Sequence, residues 1–198
     1  MKLTDYPKAV TLRDGTKVTL RYLKREDGPA LLEFFRGLPE EDRLFLRDDV
    51  TKPEFMESFI EKIDYDTMVP ICAEHNGTIV GNATLYRTRH GWTVHVAQIR
   101  VVVARTFQRN GLGTELARGL ARISINMGLD KMIAQVVDNQ VAAQRAFEKL
   151  GFHKEAVLKN HVKDIFGRRH DLIIMSNDVS HIWEAMESMA ASYLPAME

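Results

Sequence analysis

The alternation of apolar and polar residues predicts strands at the start and in the middle of the chain. Residues 9–12 and 17–22 lie on either side of Asp14-Gly15, an arrangement typical of a short β-hairpin. Asn76-Gly77 and His90-Gly91 mark two further turns. These turns divide the next alternating region into a three-stranded antiparallel meander, predicted over residues 68–75, 78–87 and 92–103.

Between these strands, two short segments have the spacing of amphipathic helices. Asp27 can cap the first helix, which ends at Pro39, and Thr51-Lys52-Pro53 starts the second. Each helix carries one apolar face, made of Leu31, Phe34, Phe35 and Leu38 in the first and of Phe55, Met56, Phe59, Ile60 and Ile63 in the second. We interpret both faces as core packing.

The second half of the chain alternates helices with strands. A helix that stops at Gly128 carries an apolar face of Leu112, Leu116, Leu120, Ile123 and Met127. The elements predicted next are a strand over residues 131–137, a helix over 140–150 that stops at Gly151, and two strands over 152–162 and 169–175 around a turn at Phe166-Gly167. Residues 1–178 therefore predict a single α/β domain.

A terminal helix is predicted from Ser180, within an extension over residues 179–198. Its apolar face consists of Ile182, Trp183, Met186, Met189 and Tyr193. Such a face needs cover, either from the domain itself or from a second subunit, so a homodimer is one of two open alternatives.

Composition excludes several classes of partner. The 198 residues carry 27 Lys plus Arg against 27 Asp plus Glu, so no net field attracts nucleic acid or an anionic membrane. The single cysteine, Cys72, cannot form an internal disulfide, and no Cys and His cluster has metal-ligand spacing. The N-terminus lacks an apolar signal core, and no apolar run is long enough to span a bilayer. We expect a cytoplasmic protein that holds no metal.

A glycine-containing loop, QRNGLG from Gln108 to Gly113, joins an apolar strand to the helix that begins near Leu112. Helix N-termini present unpaired backbone N–H groups and the positive end of a dipole, which suits a phosphate. Glycine at 111 and 113 lets the backbone approach such a guest closely. The loop lacks the Lys and Ser or Thr of triphosphate-binding loops and the spacing of the dinucleotide fingerprint. A diphosphate bound without metal fits better, and a plain solvated turn is the alternative.

The order of elements and three motifs resemble the GNAT superfamily of N-acetyltransferases over nearly the whole chain. The motifs are QIRVVV with the following QRNGLG, the segment AFEKLGF, and the ending HDLIIM. The resemblance implies an α/β fold with a mixed, mostly antiparallel central sheet flanked by helices. Residues 9–12 and the helix after Ser180 lie outside it and predict an extra N-terminal strand and a C-terminal helix.

The resemblance also implies acetyl-CoA as cosubstrate. In the family the coenzyme diphosphate sits on the loop amides, which correspond here to Arg109, Asn110, Gly111, Leu112, Gly113 and Thr114, with Gln108 at the loop mouth. The pantetheine arm pairs with the end of the preceding strand, which implies Val101, Val102 and Val103. Phe147 is expected beside the pantetheine arm or in the core.

Asn139 resembles the family's coenzyme-facing Asn at the start of the next helix. Counted back from Gly151, however, a common family spacing puts Gln140 at that point, so the assignment needs a shifted helix start. The alternative role for Asn139 is a plain helix N-cap.

The residues that handle protons depart from the family pattern. Gln98 stands where the family often has a Glu as general base, and Gln can hold a water or the amine but cannot accept the proton. Phe147 lies in the helix where the family often has a Tyr that protonates the leaving thiolate. Other candidates for the base are His95, Asp138, His161, His170 and Asp171, and the sequence distinguishes none of them.

These observations predict an acetyl-CoA-dependent N-acetyltransferase that acts on an amine of a small molecule, peptide or protein by direct attack in a ternary complex. The acceptor cannot be read from the chain. Two other readings stay open: a catalytically idle acetyl-CoA-binding sensor or assembly module, and a metal-dependent nucleotide-phosphate binder.

Overall fold

In a computed structural model, residues 6–43, 46, 48–164 and 166–179 are described. The helix predicted from Ser180, with its possible dimer face, lies outside the described residues. No helix within the described ranges is long and apolar enough to cross a membrane.

The described residues form one eight-stranded sheet in the order β1-β2-β3-β4-β5-β6-β8-β7. Its strands are β1 Lys8–Thr11, β2 Lys17–Tyr22, β3 Met68–His75, β4 Thr78–Tyr86, β5 Val96–Val103, β6 Lys131–Val137, β7 His153–Lys163 and β8 Arg169–Asp178. Neighbouring strands are antiparallel, except that β5 and β6 run parallel. This confirms the mixed, mostly antiparallel sheet with an extra N-terminal strand.

Helices cover both faces of the sheet. In the described part of the chain they are α1 Gly28–Arg36, α2 Glu40–Arg43, α3 Pro53–Glu61, α4 Leu112–Asn126 and α5 Val141–Glu148. The predicted apolar faces of α1 and α3 bury in one core cluster, and the face of α4 buries in the other. The four-residue helix α2 was not predicted, since its residues, EEDR, are all charged.

The third strand of the meander starts later than predicted. Residues 92–95 form a turn, and Trp92 is 92% exposed. β4 ends at Tyr86, opposite Gln98, so residues 92–95 have no β4 partner. The preceding loop is instead held by ion pairs of Arg87 and Arg89 with Asp66. Local alternation could not reveal where the partner strand ends.

Asp27 is the N-cap residue of α1, but its side chain makes no capping hydrogen bond to that helix. Its carboxylate accepts hydrogen bonds from the backbone N–H of Lys24 at 2.7 Å and from Arg21 Nη2 at 2.9 Å. It therefore closes the turn before α1 and ties that turn to β2, while Pro29 occupies the first turn of the helix.

Candidate active site

A wedge opens between the two parallel strands in the middle of the sheet. β5 pairs with β6 only from Val96 to Ile99, which lies opposite Ala134. The pairing of β5 with β4 continues to Val103, and the pairing of β6 with β8 continues to Val137. The last four residues of β5 consequently diverge from β6, and no other described strand fills the gap.

The backbone groups that face this wedge follow from the ladder on the other side of β5. The N–H of Ala104 donates to the Val80 carbonyl at 2.9 Å, which makes that pair a hydrogen-bonded one. Because such pairs alternate along an antiparallel ladder, Val102 bonds to β4 while the N–H and C=O groups of Val101 and Val103 point into the wedge. Val101 and Val103 therefore present backbone groups to the wedge and Val102 does not; coenzyme binding by these residues stays a prediction.

The glycine loop lies at the mouth of the wedge. A single turn, Arg105–Phe107, follows β5, and Gly111 is the N-cap of α4 with a φ of 95°. No side chain caps the helix, so the first amides, from Leu112 to Thr114, have no partner within it. The fifteen-residue helix α4 adds the positive end of its dipole at the same place. The arrangement is suited to an anion.

Two side chains of the loop bind parts of the protein. The side-chain amide of Gln108 donates to the Val103 carbonyl at 3.1 Å, which leaves the Val103 N–H as the remaining group at that position. The Asn110 side chain accepts the backbone N–H of Asp14 at 3.0 Å. Both side chains therefore shape the loop, and Arg109 is an exposed side chain beside them.

The two glycines of the loop differ in what they require. At Gly111 the positive φ favours glycine whatever the surrounding space. At Gly113 a methyl group would lie 3.7 Å from a Val103 methyl, an ordinary contact, so the protein itself tolerates a side chain there. Only Gly111 is required by the backbone.

Gln98 lies half-buried on β5, opposite Tyr86 of β4. Strand alternation puts Arg100 on the same sheet face as Gln98. Arg100 Nη2 donates to the Tyr86 hydroxyl at 2.9 Å, and Arg100 Nη1 lies 3.7 Å from an Asp48 carboxylate oxygen. The face carrying Gln98 is the one that α1 and α3 cover in part, opposite to α4.

Tyr86 and Arg100 are candidate acceptor-site residues that the sequence analysis missed. Arg100 could have been found from Gln98, because residues two apart on a strand share a face. Tyr86 could not, since its position depends on the register between β4 and β5.

The other candidates for a base lie elsewhere or are engaged. His95 belongs to the turn before β5, where its carbonyl accepts the N–H groups of Asp130 and Lys131. Lys159 lies 2.6 Å from Asp171 and lowers the pKa of that carboxyl. His161 lies on the edge strand β7, which β6 and β8 separate from β5.

Asp138 and His170 meet in a cluster with Asp164. Nδ1 of His170 lies 3.3 Å from Asp138 Oδ1, and Nε2 lies 3.2 Å from Asp164 Oδ2. Burial opposes the ionisation of Asp164, yet hydrogen bonds from His170 and Arg168 lower its pKa to about 2.

This cluster is remote from Gln98. Gln98 is level with Ile133 of β6, and Leu172 of β8 is level with Val137. Four residues of strand separate these levels, about 13 Å at about 3.3 Å per residue, and His170 lies two residues further along.

The start of α5 contradicts the shifted helix that the Asn139 assignment needs. Gln140 is the N-cap residue, and its side chain accepts the Val137 N–H at 3.1 Å. Asn139 lies in the preceding turn, exposed, so it is not a helix N-cap. Phe147 is 9% exposed and packs against Phe152 with ring centroids 5.1 Å apart, in the main core cluster.

Among the residues that the structure describes, no group of three or more His, Cys, Asp or Glu side chains is arranged to hold a metal ion.

The family model for the acetyltransferase (GNAT) family matches residues 33–152. The chain belongs to this family. The match covers the wedge, the glycine loop and Phe147, and it makes this GNAT protein a member of a family of acyltransferases. No curated protein sequence matches the chain significantly.

Solved structures of low sequence identity share the fold. The protein yncA from Salmonella typhimurium, with its cofactor acetyl-CoA, superposes with a TM-score of 0.70 at 22% identity, covering 82% of this chain and 94% of its own. A ribosomal-protein-alanine N-acetyltransferase from Brucella melitensis gives 0.69 at 23% identity, with coverages of 80% and 98%. A spermidine N-acetyltransferase chimera derived in part from Vibrio cholerae gives 0.69 at 20% identity, with coverages of 84% and 98%.

Proposed function

We propose that this GNAT protein transfers the acetyl group of acetyl-CoA to a primary amine by direct attack in a ternary complex. The observation that carries the proposal is the continuity of the anion-binding loop with the wedge. The free amides at the start of α4 adjoin the unpaired edge of Val101 and Val103, and that edge leads to Gln98.

Each part of the coenzyme has a matching part of this path. Its diphosphate binds the amides from Gly111 to Thr114, where backbone donors and the helix dipole favour negative charge. Its pantetheine amides pair with the Val101 and Val103 backbone in the manner of a short β-strand. The thioester then lies near the narrow end of the wedge, at the level of Arg100.

The reaction breaks the C–S bond of the thioester and forms a C–N bond to the acceptor. The carbonyl oxygen gains negative charge in the tetrahedral intermediate, and the Val101 N–H is the donor that we assign to it. The amine must attack as the free base, since an ammonium has no lone pair. The amine releases one proton and the coenzyme thiolate takes up one proton, so the reaction is balanced.

Gln98 orients a water or the amine but accepts no proton itself. Its carboxamide makes no hydrogen bond with another described residue, so both its donor and its acceptor are available. General-base catalysis contributes about two to four powers of ten, whereas orientation of two reactants contributes about 7–11 kcal/mol. A site without a carboxylate at residue 98 therefore retains most of the available rate enhancement.

The acceptor binds on the sheet face that carries Gln98, Tyr86 and Arg100, beneath α1 and α3. The acceptor class remains a small-molecule amine or a peptide or protein amine, and both occur among the structural neighbours described above. The panel for testing therefore contains polyamines, amino-acid amides, peptides with an N-terminal alanine and lysine peptides.

An idle acetyl-CoA-binding module is the second candidate function. It is favoured by Phe147, which is buried against Phe152 and offers no acid to the leaving thiolate, together with a carboxamide at residue 98. In this reading the same loop and wedge bind the coenzyme, and no acceptor is acetylated.

Measurement of the free coenzyme thiol released in the presence of each amine of the panel distinguishes the two functions. The protein's own thiol does not interfere, because Cys72 is fully buried and burial raises its pKa to about 12. Turnover with one class of amine, with a product heavier by one acetyl group, supports the enzyme. Tight coenzyme binding without release in the presence of any amine supports the module.

A further inference from the structure

The turn of the N-terminal β-hairpin is attached directly to the glycine loop. Between β1 and β2, the N–H of Arg13 donates to the Asn110 carbonyl at 3.2 Å, and the N–H of Asp14 donates to the Asn110 side chain at 3.0 Å. Residues 97 and 96 positions apart in sequence are thus joined through a single asparagine. The hairpin turn therefore packs directly against the glycine loop.

Hydrogen bonds within the hairpin turn define its backbone. Leu12 N–H donates to the Thr16 carbonyl at 2.8 Å, and Thr16 N–H donates to the Asp14 carboxylate at 2.9 Å. The hydrogen bond from the Thr16 N–H, followed by that from the Asn110 side chain, lowers the pKa of Asp14. The Asp14 carboxylate is therefore occupied within the turn.

The Arg13 side chain lies beside Gly111 of the glycine loop. A methyl group built on the Gly111 Cα would lie 3.8 Å from both Cγ and Nε of Arg13. Arg13 is exposed, and none of the ion pairs among the described residues includes it. By contrast, Arg105 in the turn before the glycine loop is paired with Glu41 and Asp42, and Arg118 on α4 is paired with Glu115. The Arg13 guanidinium is consequently available to contact an anion that binds at the loop.

We infer that Arg13 binds a phosphate of the coenzyme, so that the N-terminal hairpin forms part of the coenzyme site. This inference rests on the proposed function, because it takes the guest of the loop to be coenzyme A. The guest has two kinds of phosphate, the diphosphate and the 3′-phosphate of the ribose. Both offer oxygens that suit a guanidinium, which forms paired hydrogen bonds with phosphate.

The test is a calorimetric titration of the full-length protein with coenzyme A and with 3′-dephospho-coenzyme A. For Arg13→Ala we expect the dissociation constant for coenzyme A to rise about 3- to 30-fold, the range of a charge-assisted but exposed contact. Arg13→Lys keeps the charge and should recover part of the loss. The matched control is Arg25→Ala, which removes the same charge from an exposed position beyond the opposite end of β2.

The two ligands identify the phosphate. If Arg13→Ala weakens the binding of both ligands equally, Arg13 binds the diphosphate. If it weakens the binding of coenzyme A alone, Arg13 binds the 3′-phosphate. Either outcome supports the inference, provided that the unliganded melting temperature is unchanged. Wild-type affinity of Arg13→Ala for both ligands, or an equal loss in Arg25→Ala, overturns it. Failure of the wild-type protein to bind coenzyme A overturns the proposed function as well.

Discussion

Replacement of Gly111 by alanine tests whether the loop amides hold the coenzyme. Gly111 has a φ of 95°, in the left-handed region, where a residue with a Cβ is strained. The added methyl group meets its nearest neighbours, in Arg13, at 3.8 Å, so the cost comes from the backbone and not from a clash. That cost is about 1–2 kcal/mol.

The strain has a specific consequence for the site. Relief of the strain by rotation about φ turns the Asn110–Gly111 peptide, which carries the Gly111 N–H and the carbonyl that binds Arg13. Loss of one hydrogen bond to a charged ligand is worth about 1.5–3 kcal/mol. At about 1.4 kcal/mol per factor of ten, we expect the dissociation constant for acetyl-CoA to rise about 10- to 150-fold.

The matched control is Gly128→Ala at the other end of the same helix. Gly128 also has a positive φ, of 67°, and no atom lies within 4 Å of an added Cβ. Both variants should lose about 1–2 kcal/mol of unfolding free energy. For a domain of this size, each kcal/mol corresponds to a fall of about 2–4 °C in melting temperature.

Thermal unfolding and acetyl-CoA titration of the two variants decide the matter. Only Gly111→Ala should weaken binding, although both variants lose similar stability. Wild-type affinity of a destabilised Gly111→Ala would show that the loop amides do not hold the coenzyme. Equal weakening by Gly128→Ala would show that binding merely follows general stability.

Three further predictions concern catalysis, packing and acid stability. Gln98→Ala should lower kcat about tenfold and leave the acetyl-CoA dissociation constant unchanged, since Gln98 faces the acceptor and not the loop. Phe147→Tyr should lower the unfolding free energy by about 1–3 kcal/mol without raising kcat, because it buries a hydroxyl beside Phe152. Asp64→Asn should lower the unfolding free energy above pH 4. Burial opposes the ionisation of Asp64, but hydrogen bonds from Asp66, Thr67 and Met68 lower its pKa to about 2. In the wild type this contribution is complete above the unfolded-state pKa, near 4, and disappears as the pH falls toward 2.

Each of these has an outcome that contradicts it. Unchanged turnover of Gln98→Ala in steady-state kinetics would remove Gln98 from the mechanism. A higher kcat for Phe147→Tyr would show that residue 147 lies beside the leaving thiolate and would contradict its role in the core. For the third prediction, denaturant unfolding measures the stability of wild type and of Asp64→Asn between pH 4 and pH 2. Parallel losses of unfolding free energy in the two proteins would show that Asp64 is not the group that titrates.

Local patterns were sufficient for much of the fold. The face of α4 is a repeat of Leu112, Leu116 and Leu120 at helical spacing, and its left-handed stop at Gly128 is a local backbone requirement. The opening hairpin follows in the same way from Asp14-Gly15 between alternating segments. The resemblance to the family then predicted a mixed, mostly antiparallel sheet flanked by helices, which the structure and the family match confirm.

Relations between distant segments could not be predicted from such patterns. β5 starts at Val96 and not at Trp92, because its pairing with β6 begins at Val96 and its pairing with β4 begins at Gln98. The register between β4 and β5 likewise hid Tyr86 as a neighbour of Gln98.

By itself, then, the sequence determined the strand-loop-helix unit around the glycine loop, because hydrophobic spacing and glycine backbone preferences act within a few residues. Only the tertiary structure decided that β5 parts from β6 after Ile99 and that Arg13 lies against Gly111. Both depend on pairing and packing between segments far apart in the chain, whose register no local pattern encodes.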